Sequence, residues 1–174
     1  MRDRMARGKN AGPAHLVLRR SPIEAMGCYT TLPIKKGELV VEYTGPRLSV
    51  KEAEALYDDL ARTFLFGLTN GKEVIDGTGV AAFINHSCDP NCEADEVRGR
   101  VLIRALRNIA AGEELTYDYN LYDGAPDDEA LCRCGSKRCR GSMYSREELR
   151  RRARAKPARN KTTKKAGRSG NRAA

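Results

Sequence analysis

Residues 82–92 read AFINHSCDPNC. A short apolar lead-in passes into Asn85, His86 and Ser87, then into Cys88 and Cys92 with Pro90 between them. His86 is one of only two histidines in 174 residues, and it stands two positions from a thiol. A nucleophilic Cys–His pair, a metal site, a redox site and a plain strand end are all open readings. The nucleophile reading needs a base held against the thiol by a third group. An extended backbone would turn His86 and Cys88 to the same side, but no orienting acid or oxyanion loop is evident nearby. A cysteine-dependent hydrolase is therefore the weakest functional reading.

Downstream, residues 131–141 read LCRCGSKRCRG and place Cys132, Cys134 and Cys139 in a C-x-C-x4-C pattern. Three thiolates this close can wrap one Zn²⁺, which takes four ligands in a structural site. Arg133, Lys137, Arg138 and Arg140 would offset the charge of such a cluster. Reduced cysteines without metal are the alternative. The fourth ligand must come from elsewhere, and the opening stretch offers Cys88 or Cys92. With Cys28, these make six cysteines, three of them too crowded for the disulfide framework of a secreted domain.

The chain is long enough for one ordinary domain with tails. It has neither an apolar run of membrane-spanning length nor an h-region behind its basic start, so a soluble, intracellular protein is expected. The net charge of +9 is unevenly placed. Residues 150–174 hold eleven Lys/Arg and no acid, and residues 1–20 hold six against one. That leaves 15 basic against 22 acidic residues between them. An acidic body suits cationic partners, and basic arms suit polyanions. No aromatic residue lies beyond position 150, so base stacking is not indicated.

Working outward, LVLRRSPI (16–23) and GELVVEYTG (37–45) read as strands, β-branched and bounded by Pro or Gly. Residues 50–62, VKEAEALYDDLAR, carry apolar residues at helical spacing. Short strands follow around TFLFGL, EVID and RVLIRAL, and GEELTYDYN (112–120) opens another. After an acidic loop, SREELRRRARAK predicts a short helix, with Ser145 as N-cap and Glu148 closing a capping box. The pattern predicts a mostly β (α+β) domain with convoluted connections and few short helices.

FINHSCDPNC, then GEELTYDYN, then CRCGSKRCRG together resemble the SET domain of protein-lysine methyltransferases with its post-SET zinc segment. Upstream, SPIEAMGCYTTLPIKKGELVVEYTG is similar to the family's opening, with I-x-x-G-E-x-V-x-E-Y-x-G from Ile34 to Gly45. The likeness runs from about Val17 to Met143. Two departures stand out: Ala82 occupies the position where the family commonly has arginine, and the segment 76–83 is short. The resemblance implies a fold of small curved β-sheets with a threaded C-terminal segment. Its expected divisions are a basic arm (1–14), the SET domain (15–122), the acidic loop with the post-SET segment (123–145), and a basic, disordered tail (146–174).

It further implies that S-adenosyl-L-methionine binds one face and lysine enters from the other. Asn85 and His86 would hold the cofactor, with Met26, Gly27 and Cys28 lining the same pocket, although the family usually has a glycine where Cys28 stands. Tyr119 resembles the essential tyrosine beside the transferring methyl, Tyr43 another channel tyrosine, and Tyr117 the position that limits how many methyl groups are added. Here a tyrosine implies mainly mono- with some dimethylation. Asp118 alternates away from the tyrosines and is expected to be structural. For zinc the family pattern selects Cys88 with Cys132, Cys134 and Cys139, leaving Cys92 free or packed.

The function implied is methylation of lysine in a basic protein substrate, histone-like or DNA-packaging, by a monomer. The C-terminal tail would contact nucleic acid. Location would be the nucleus or chromatin for a eukaryotic substrate, and cytoplasm or nucleoid for a bacterial one. The competing reading is a catalytically inactive, zinc-containing nucleic-acid-binding protein. Intact Asn85, His86 and Tyr119 argue against it.

Overall fold

The computed structural model describes residues 12–57, 64–122, 124 and 128–155. Ten short strands, one 3₁₀ turn and two short helices make up these residues. β1 (Leu16–Arg20) and β2 (Met26–Thr30) form an antiparallel pair. β3 (Leu39–Tyr43), β9 (Arg100–Ala105) and β8 (Cys92–Val97) form a three-stranded sheet in that order. β4 (Arg47–Ser49), β6 (Glu73–Asp76) and β5 (Leu65–Gly67) form another. β7 (Asn85–His86) pairs in parallel with β10 (Thr116–Tyr117). The mostly β expectation is met.

The central sheet carries the core. Val101 and Ile103 of β9 are fully buried, joined by Ile84, Ile109 and Leu115. β8 and β9 turn through Arg98 and Gly99, with φ of 52° and 74°. Two successive residues at positive φ make the two-residue turn whose twist suits a hairpin. β8 itself, CEADEV, escaped the sequence reading because three of its six residues are acidic. Its alternating burial puts Glu93 and Asp95 on the solvent face, while half-buried Glu96 shares the face of Cys92 and Ala94. β2 and β4 were also unread, being short segments whose partners lie elsewhere in the chain.

α1 (Val50–Tyr57) covers the first eight residues of the predicted helix, and residues 58–63 lie outside the described residues. The predicted strand over 112–120 contracts to two residues. Its preceding segment instead docks on β2, where the Leu115 N–H donates to the Cys28 carbonyl at 2.8 Å. Buried Asn91 holds this crossing together. Its Nδ2 donates to the Glu114 carbonyl (2.7 Å), and its Oδ1 accepts from the Thr116 N–H (2.8 Å).

α2 (Arg146–Ala155) takes ten residues from the tail expected to be disordered, and residues 156–174 lie outside the described residues. Ser145 Oγ caps it by accepting the Glu148 N–H at 3.1 Å. The reciprocal half of the capping box is not made. Ser145 N–H donates to the Leu121 carbonyl, while the Glu148 carboxylate accepts from Arg151 and Arg152.

Candidate active site and thiol cluster

β7 and β10 are two residues each, yet their pairing decides the site. It sets Asn85 opposite Thr116 and His86 opposite Tyr117, across 31 residues of sequence. Asn85, His86 and Tyr117 border an open groove of about 920 Å³, lined also by Met26, Tyr43 and Tyr119.

The tyrosines gather at one place. The Tyr117 and Tyr119 rings stand 4.9 Å apart, and Phe66 bridges Tyr117 (6.2 Å) to Tyr43 (5.4 Å). Tyr119 OH donates to the Ile84 carbonyl at 3.0 Å, and Tyr43 OH to the Phe64 carbonyl at 2.7 Å. Gly77 leaves room for the Tyr43 hydroxyl, since a Cβ there would lie 2.2 Å from it. Tyr117 OH makes no hydrogen bond to any described residue and remains free toward the groove. Burial raises the phenol pKa of Tyr43 and Tyr117 above the usual value, with neighbouring tyrosines adding to the effect. Both are neutral at physiological pH, so they act by shape and hydrogen bonding rather than as phenolates.

His86 lies between these rings and the thiols. Its Nδ1 accepts the Tyr119 backbone N–H at 3.1 Å, which puts the ring proton on Nε2, 3.3 Å from Cys88 Sγ. Burial lowers its pKa to about 4, against the pull of Asp118 and with help from Arg140. The imidazole is neutral, so the 3.5 Å approach of Asp118 Oδ1 to Nδ1 is not an ion pair. Asp118 is committed to Arg140, whose two terminal nitrogens donate to it at 2.6 and 2.8 Å. That is a structural role.

Asn85 is held more tightly than its sequence suggests. Its Nδ2 donates to Glu114 Oε1 (2.8 Å), the Met26 carbonyl (3.0 Å) and Ser21 Oγ (3.2 Å). Glu114 also accepts from Ser21 Oγ (2.8 and 3.0 Å) and Tyr29 OH (2.9 Å). With its nitrogen so engaged, the Asn85 amide keeps its oxygen as the group available to a ligand. Gly27 is required here, since a Cβ would fall 2.2 Å from Glu114 Oε1. Glu114 was missed by the sequence reading. The doubled acid of GEEL was its only signal.

Of the three residues expected to line a cofactor pocket on β2, only Met26 borders the groove. Gly27 packs on Glu114. The Cys28 side chain does not line the groove: it is fully buried in the core, and burial raises its pKa to about 12.

Cys88, Cys132, Cys134 and Cys139 converge, with all four sulfurs within 4.8 Å of one another. Zn–S bonds of about 2.3 Å at tetrahedral angles would set sulfurs roughly 3.8 Å apart, and Cys88 and Cys132 already stand at 3.6 Å. Backbone N–H groups of Cys134, Arg140 and Gly141 donate to Cys132, Cys88 and Cys139 sulfurs at 3.3–3.4 Å. Such donors favour thiolates, so the residues fit a zinc ion. Of the two thiols in the opening stretch, Cys88 stands in the cluster and Cys92 does not. Cys92 opens β8, is fully buried in the core, and is raised to about 12 by burial.

Residues 25–120 match the SET domain family. Histone-lysine N-methyltransferase, H3 lysine-4 specific, of Eremothecium gossypii is 40% identical over 137 residues, covering 71% of this chain and 14% of the relative. The protein of the same name from Saccharomyces cerevisiae is 40% identical over 141 residues, covering 74% and 13%. Histone-lysine N-methyltransferase ATX2 of Arabidopsis thaliana is 37% identical over 151 residues, covering 79% and 14%. The chain thus spans 13–14% of the length of these curated relatives. With the family's motifs folded into one groove and one thiol cluster, the chain belongs to the SET domain family.

Proposed function

We propose that this chain methylates the side-chain amine of lysine in a basic, histone-like protein, chiefly to the mono-methyl state with some dimethylation. The convergence of Tyr43, Tyr117 and Tyr119 on the groove that Asn85 and His86 border carries this reading. The relatives named as histone-lysine N-methyltransferases support it.

S-adenosyl-L-methionine, when bound, supplies a methyl group already activated on a sulfonium. The protein's work is positioning. Asn85 offers its amide oxygen to an ammonium group, and His86 contributes a neutral ring packed edge-on against Tyr119. A lysine amine, with an ordinary pKa of about 10.4, must shed a proton before it attacks. The apolar, aromatic walls disfavour the ammonium and aim the lone pair for in-line approach. Tyr117 OH, without a hydrogen bond among the described residues, can bind the amine or a water beside it, and that occupied volume leaves little room for an already methylated nitrogen. Glu54 and Glu73 on the groove wall suit a basic peptide.

Cys88, Cys132, Cys134 and Cys139 would hold one structural Zn²⁺. Their segment contributes Leu131, Arg133 and Met143 to the groove wall, so metal would order one side of the site. The reading includes a monomer acting on chromatin or an equivalent DNA-packaged substrate, with nucleic-acid contact through the basic C-terminus. No described helix is long and apolar enough to cross a membrane.

Radiolabelled methyl transfer to a panel of basic proteins, followed by mapping of the modified lysine, tests the reading. Labelled lysine that disappears in Tyr119→Phe is expected. Failure to bind S-adenosylmethionine in calorimetry would overturn it.

A further inference from the structure

α2 has two faces of different character. One is fastened to the domain. Glu148, 4% exposed, accepts from both Arg151 and Arg152. Arg152 also donates to the Asp128 (2.8 Å) and Gly124 (3.1 Å) carbonyls and stacks 3.8 Å over the Tyr144 ring. Tyr144 is 1% exposed, and its hydroxyl donates to Asp128. The helix is therefore a fixed part of the structure rather than a free extension.

The other face carries Arg146, Arg150 and Arg154, all exposed and at i, i+4, i+8. None of the three has a hydrogen bond, ion pair or ring contact among the described residues. At 1.5 Å per residue the ladder is about 12 Å long, with a guanidinium on each step of about 6 Å. Arg151 flanks it, and Glu147 is the one acid on that side. Three unpaired guanidiniums in a row repel one another, so the arrangement is stabilised by an anion that meets all three.

We propose that this arginine ladder is a docking surface for the phosphate backbone of duplex DNA. This extends the reading of nucleic-acid contact above, moving part of it from residues 156–174 onto a folded element. Each strand of duplex DNA presents one charge per ~3.4 Å of axis, so a ladder of about 12 Å spans about three or four phosphates of one strand. Beside the ladder the exposed surface adds only Ala153, which offers nothing to insert into a membrane or to stack on bases. The chain that follows adds seven Lys/Arg and no acid through residue 174, continuing the positive charge from the end of the helix. Against the acidic body, this charge favours DNA on the α2 side.

That side adjoins the groove. The Leu121 N–H donates to the Met143 carbonyl, Met143 lines the groove, and Tyr144 follows it directly. A duplex on α2 would hold proteins bound to the same DNA close to the site, raising their effective concentration without any contact to the lysine itself.

The test uses three forms of the full chain: unaltered, Arg146→Ala/Arg150→Ala/Arg154→Ala, and Lys161→Ala/Lys164→Ala/Lys165→Ala. Binding to a labelled 30-base-pair duplex is measured by anisotropy from 50 to 200 mM salt. Loss of three phosphate contacts should flatten the slope of log K against log salt by about 2.7 and weaken binding of order 10²-fold at 0.1 M. Arg→Lys at the same three positions should keep most of the slope, and circular dichroism should show the helix intact in every form. Methyl transfer to a short peptide should be unchanged, because none of these arginines borders the groove.

Unaltered affinity and slope in the α2 variant, with loss only in the 161–165 variant, overturns the ladder while sparing the wider reading. No duplex binding by the unaltered chain overturns both. Tighter binding to single-stranded RNA, an acidic peptide or anionic vesicles than to the duplex overturns the choice of partner.

Discussion

Replacing Glu114 with alanine tests how Asn85 is oriented. The substitution removes a carboxylate that accepts from Asn85 Nδ2, Ser21 Oγ and Tyr29 OH. A hydrogen bond to a charged group contributes about 1.5–3 kcal/mol when its partner stays buried. Asn85 is only 7% exposed, so that range applies to it. Ser21 and Tyr29 are better hydrated and would contribute roughly 0.5 kcal/mol each. The expected loss is about 3 kcal/mol, equivalent to a Tm drop of about 6–12 °C for a domain of this size. The effect on ligand binding is separable. Without Glu114 the Asn85 amide keeps two acceptors but is free to turn, so affinity for S-adenosylmethionine should fall about tenfold for each 1.4 kcal/mol of orientation lost. Glu114→Gln preserves one acceptor oxygen for Asn85, while Ser21 and Tyr29 can turn their hydroxyls to accept from its nitrogen. That variant should stay within about 1 kcal/mol of the original. Differential scanning fluorimetry and calorimetry read the two quantities. A Glu114→Ala protein with unaltered Tm and unaltered affinity would refute the reasoning.

Purified protein should carry about one Zn²⁺ per chain; Cys134→Ser should release it, and Cys92→Ala should not, as elemental analysis will show. Retention of metal after joint replacement of Cys132 and Cys134 would rule out the site. Tyr117→Phe should shift products toward di- and trimethyl-lysine with turnover maintained, whereas Tyr119→Phe should lose most activity. Efficient trimethylation by the unaltered protein, read by mass spectrometry, would count against the role of Tyr117. Cys28 and Cys92, each raised to about 12 by burial, should resist iodoacetamide in the folded protein at pH 8. Because their folded pKa exceeds the unfolded one, their contribution to stability is complete below the ordinary thiol value and is lost as pH climbs from about 9 toward 12. Urea midpoints across that range should fall, and Cys28→Ala/Cys92→Ala should flatten the fall.

Local chemistry made much of this protein readable from its residues. The C-x-C-x4-C run announces a metal-binding segment because three soft ligands so close have few other uses. The β-branched runs of β3 and β9 declare buried strands, and Ser145 declares a helix start through the geometry of its own oxygen. The order of the four motifs pointed to the SET family, because each is a short segment whose residues must lie in line to serve one site. What remained hidden depends on partners distant in the chain. Glu114 is an ordinary strand-edge acid until β2 brings Gly27 against it, and no periodicity encodes that approach. Cys28 and Cys92 look as reactive as Cys88, and only enclosure by the central sheet makes them inert. The Glu148 carboxylate was assigned to its own helix cap, yet two arginines three and four residues on compete for it more strongly than a neutral N–H. Spacing along the chain specifies which groups can meet within a turn or a strand. Which groups meet across 30 or 90 residues is decided by packing, because it follows from the joint burial of every apolar surface rather than from any one segment.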